Sequence, residues 1–70
     1  QLEDRLRLAE EEIPRLETAI AAAEEKMAIF TSAEDAQRTA SELEQLRGQR
    51  AKVMAEREEL ALMVEEQSLV

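Results

Sequence analysis

From Leu2 the apolar residues fall at Leu2, Leu6, Ala9, Ile13, Leu16, Ile20, Ala23, Met27 and Phe30, with gaps that alternate four and three. A straight helix turns once in about 3.6 residues. An average spacing of about 3.5 therefore holds one narrow stripe against a partner helix only if the two supercoil left-handedly. The pattern predicts a first helix over about residues 2–30 and requires a partner for it. The stretch Thr31-Ser32-Ala33-Glu34-Asp35 then carries the marks of a new helix start. The Ser32 hydroxyl can accept from the Asp35 backbone N–H, and the acids suit the positive end of the helix dipole. A second helix is expected over about 33–67. With so short a turn, centred on Phe30-Thr31-Ser32, the second helix folds back antiparallel on the first. The predicted fold is all-α, a two-helix antiparallel coiled-coil hairpin.

The second seam is less apolar. Ala36, Leu43, Arg50, Arg57 and Val64 form one of its columns, and Thr39, Leu46, Val53, Leu60 and Gln67 the other. Folding about residue 33 sets Ala23 against Leu43, Ile20 against Leu46, Leu16 against Arg50, Ile13 against Val53, Ala9 against Arg57 and Leu6 against Leu60. Arg57 would lay its stem across Ala9 and turn its guanidinium toward acids such as Glu10 or Glu12. Pro14 interrupts the first helix without disturbing the seam's phase. It predicts a kink or a restart near Glu11 to Ile13, with a hinge between an incoming helix and the hairpin proper as the alternative. Gly48, on the outer face, marks either a tolerated position or a site of close approach.

Composition narrows the class. The whole chain, residues 1–70, is one hairpin domain, and because it opens on Gln1 it is expected to be a segment of a longer protein. Twelve alanines and a single aromatic favour helix over a thick core. The net charge of −8 opposes non-specific binding to a polyanion. The absence of cysteine excludes disulfides and thiolate chemistry, and no apolar run is long enough to span a membrane, so a soluble cytoplasmic chain is expected.

Catalysis is not expected. A two-helix hairpin offers almost no concave site, the chain has no histidine or cysteine, and one glycine cannot build a phosphate-binding loop. No catalytic, cofactor-binding or metal-binding residue is assigned. The segregated positive charge is on the second helix, where residues 45–55 hold three bases and no acid. Arg38, Arg47, Arg50 and Lys52 are the candidates for contact with nucleic-acid phosphates. With no aromatic to stack on a base, they would read backbone and shape. The bland alternative is salt bridging within the hairpin. Leu62, Met63, Leu69 and Val70 crowd the open end, where a second copy or another part of the parent protein could cover them.

Four stretches carry a family likeness: Ile13-Pro14-Arg15-Leu16-Glu17, Glu24-Glu25-Lys26-Met27, the turn from Phe30 to Arg38, and Ala55-Glu56-Arg57-Glu58-Glu59-Leu60. Together they resemble the C-terminal coiled-coil domain of Uup-like ABC-F ATPases over nearly the whole chain. Ser32-Ala33 stands where that family commonly has Asp-Pro, and Arg57 where it has a tryptophan, which removes an aromatic. The resemblance implies a cytosolic parent with two ATP-binding cassettes, ATP and magnesium being bound there and not in this segment. It also implies a tail that contacts DNA or ribosomal RNA and helps position the ATPase domains. The alternative reading is a structural or protein-binding coiled coil that self-associates or docks on a partner. The acidic total favours that alternative.

Overall fold

The computed structural model describes residues 1–29 and 32–69. It contains two helices, α1 from Leu2 to Ile29 and α2 from Ala33 to Ser68, packed side by side as a hairpin with extents of 58 × 15 × 14 Å. At about 1.5 Å per residue α2 alone spans about 54 Å, nearly the full length of the molecule. The predicted turn residues Phe30 and Thr31 lie outside the described residues, as does the last seam position of the first helix. Ser32 has the predicted capping role: its backbone is extended, and its Oγ accepts from the Asp35 N–H at 3.3 Å.

Burial follows the heptads, but Met27, a predicted seam residue near the turn, stays exposed. Ala9, Ile13, Leu16, Ile20 and Ala23 are buried on α1, and Thr39, Leu43 and Leu60 on α2. Ala36, Leu46, Arg50, Val53, Arg57 and Val64 are partly buried. Every residue of α2 that loses solvent is thus a predicted seam residue, while Gln67 stays exposed where the seam runs out. Near the turn Ile20, Ala23 and Leu43 form one cluster with Leu46 packed against it, which agrees with the predicted pairing of Ala23 with Leu43 and Ile20 with Leu46.

Pro14 neither breaks nor restarts α1, which is helical without interruption from Leu2 to Ile29. Pro14 and Glu10 are both exposed, so water can replace the N–H donor that the Glu10 carbonyl loses. Gly48 is not a point of close approach within the chain: a Cβ there would meet nothing within 4 Å.

Candidate interaction surface

Two arginines stand at seam positions of α2. Arg50 and Arg57 are partly buried as predicted, but among the described residues neither joins an ion pair, so the expected reach of Arg57 to Glu10 or Glu12 does not occur. The energetic reason is that an exposed ion pair gains little beyond what water already offers the guanidinium. The pairs that do form are Arg7 with Asp4 and Glu11 within α1, the N-terminal ammonium with Asp4, and one pair between helices.

That interhelical pair is Arg47 with Glu24, at 2.9 Å, each side chain about half exposed. It defines one flank of the hairpin. Glu24 is the last of a column at seven-residue spacing, Glu3, Glu10, Glu17 and Glu24, all beside the α1 seam. Facing it on α2 are Ala40, Arg47, Met54 and Ala61, so these two facing columns hold four acids and one base. Glu24, Met27, Ala40, Leu43, Glu44 and Arg47 line a shallow groove there. A double-mutant cycle with Glu24→Gln and Arg47→Gln, read by urea melts, is expected to give a coupling below about 1 kcal/mol, since both groups are solvated.

The opposite flank holds more of the bases. By heptad position it carries Arg5, Arg15 and Lys26 of α1 with Arg38 and Lys52 of α2, five of the chain's nine. A groove lined by Leu8, Glu11, Glu12, Arg15 and Leu16 lies on the α1 side of it.

The four predicted phosphate contacts are therefore not brought together. Arg38 and Lys52 are exposed on this second flank, two heptads or about 21 Å apart. Arg47 is on the other flank and engaged by Glu24, and Arg50 lies in the seam. Arg15 and Lys26 join Arg38 and Lys52 only through the folding of α1 onto α2. A scan for basic runs along one helix misses them, although their distance from the seam residues carries the signal.

Of the self-association candidates, Leu62, Met63 and Leu69 are exposed, and Val70 lies outside the described residues. Leu62 lies on the face of α2 turned away from α1, and Leu69, one heptad further on, is the residue that caps the helix. Among the described residues no group of three or more His, Cys, Asp or Glu side chains is placed to hold a metal ion, and no helix is long and apolar enough to cross a membrane. Comparison with family models, with curated proteins and with solved structures found no match.

Proposed function

We propose that this hairpin is a non-catalytic arm of a larger protein that works by contacting other proteins. The resemblance to the ABC-F C-terminal coiled coil makes an ATPase the parent to look for. One observation carries the reading: the four candidate bases of α2 are divided between two flanks and the seam, one of them already neutralised, while large apolar side chains stand exposed near the open end. A second reading, contact with DNA or structured RNA, is favoured by the two-helix set Arg15, Lys26, Arg38 and Lys52. Its weakness is that Glu12, Asp35, Glu42, Glu56, Glu59 and Glu66 share the same flank, so its acids outnumber its bases.

Fluorescence anisotropy of labelled duplex DNA and structured RNA, titrated with the chain at low and physiological salt, separates the two. The protein-contact reading expects no saturable binding at about 0.15 M salt. Three neutralised phosphates would instead give binding that weakens roughly 40-fold between about 50 and 200 mM salt. Such binding, lost in a still-helical variant with Arg15, Lys26, Arg38 and Lys52 changed to Gln, overturns the first reading in favour of the second.

A further inference from the structure

We infer that the outer face of α2 around Leu62 and Leu69 is a docking site for a basic amphipathic helix of another protein. The inference rests on the protein-contact reading and names the chemistry of the partner. Leu62 is 55% exposed on a face that α1 cannot reach, and Leu69, one heptad further on, is 82% exposed. On a helix, the neighbours of a residue are those three and four positions away. For Leu62 these are Glu58, Glu59, Glu65 and Glu66, all glutamates and all exposed. Glu65 and Glu66 stand in the same relation to Leu69.

The one base from residue 54 to 69 is Arg57, which is partly buried at a seam position and pairs with none of these glutamates. Residues 1–15 and 54–69 together hold ten acids and four bases, so six of the eight net negative charges lie in the open half of the hairpin.

An apolar ridge between two acidic rows is complemented by a helix with aliphatic side chains at heptad spacing and Lys or Arg on either side of them. This is the arrangement by which charges flanking an apolar seam select partners in coiled coils. A second copy of this chain fits poorly. A symmetric contact through Leu62 would bring two sets of four glutamates together, and like charges across an interface discriminate against that partner.

The probe is a labelled synthetic helix with Leu on one face and Lys on the other, titrated into the 70-residue chain at physiological salt. Beside it run the same peptide with Glu for Lys, and a Lys peptide of equal charge with its leucines scrambled off one face. The expected result is saturable binding of the amphipathic Lys peptide alone. Binding should weaken at least 10-fold in Leu62→Asn, which keeps every charge, and at least 10-fold with Glu58, Glu59, Glu65 and Glu66 changed to Gln. Changing Glu3, Glu10 and Glu17 to Gln on the acidic flank should leave it within twofold.

Equal binding by Leu62→Asn would mean attraction by bulk charge and sinks the site. So would absence of binding by every peptide, or sedimentation showing a dimer of this chain that Leu62→Asn dissociates. If the peptide fails while nucleic acid also remains unbound, only this inference falls. Saturable nucleic-acid binding would remove the reading beneath it.

Discussion

Changing Leu60 to alanine is expected to cost about 2–4 kcal/mol, enough to unfold much of so small a molecule. Leu60 is 2% exposed, the most completely buried large side chain in the structure. It lies toward the open end, away from the cluster of Ile20, Ala23 and Leu43. Around it the seam is thin. Arg57 precedes it by three residues, Val64 is only partly buried, and Gln67 is exposed, so few other side chains exclude water there. A hairpin has one layer of contact, and a cavity in that layer opens directly to solvent. Urea melts followed by circular dichroism in dilute solution give the measurement, with Leu62→Ala as the reference. Leu62 is two residues away but on the outer face, and its truncation should cost less than about 0.5 kcal/mol. Equal losses from the two would show that the seam is not where α2 is held.

The opposite sign is expected at Pro14. Proline in a helix interior is about 3 kcal/mol less favourable than alanine, because it removes an N–H donor and crowds the carbonyl four residues back. The same ring restricts the unfolded chain, which returns about 0.4–1 kcal/mol to the folded state. Pro14→Ala should therefore stabilise the hairpin by about 2–3 kcal/mol. Ile13 and Leu16 keep their places in the seam, and the residue changed is exposed, so no new contact is needed. For a domain of this size that corresponds to a rise of about 10–20 °C in melting temperature. Unchanged or lowered stability would mean that a bend at Pro14 is part of how α1 follows α2, and would favour a role for the proline in shape.

The two predictions draw on different levels of information. The place of Leu60 in the seam, the whole list of shielded residues on α2 and the Ser32 cap were legible in the sequence, because each depends on spacing along one chain segment. The heptad phase decides which side of a helix is dry before any partner is specified. The candidate bases are less legible. Arg47 looked available in a run without acids, but Glu24, distant in sequence, is brought to 2.9 Å from it by the fold. Arg57 was expected to find Glu10 or Glu12 and does not.

What the sequence by itself determined is the pair of helices, their dry faces and the acidic frame around Leu62, all set by periods of three, four and seven residues. What only the tertiary structure decided is which charged side chains engage across the antiparallel register that the short turn predicts. Glu24 takes Arg47 at 2.9 Å, while Arg57 meets neither Glu10 nor Glu12, because the choice of partner depends on distances between segments that no local period contains.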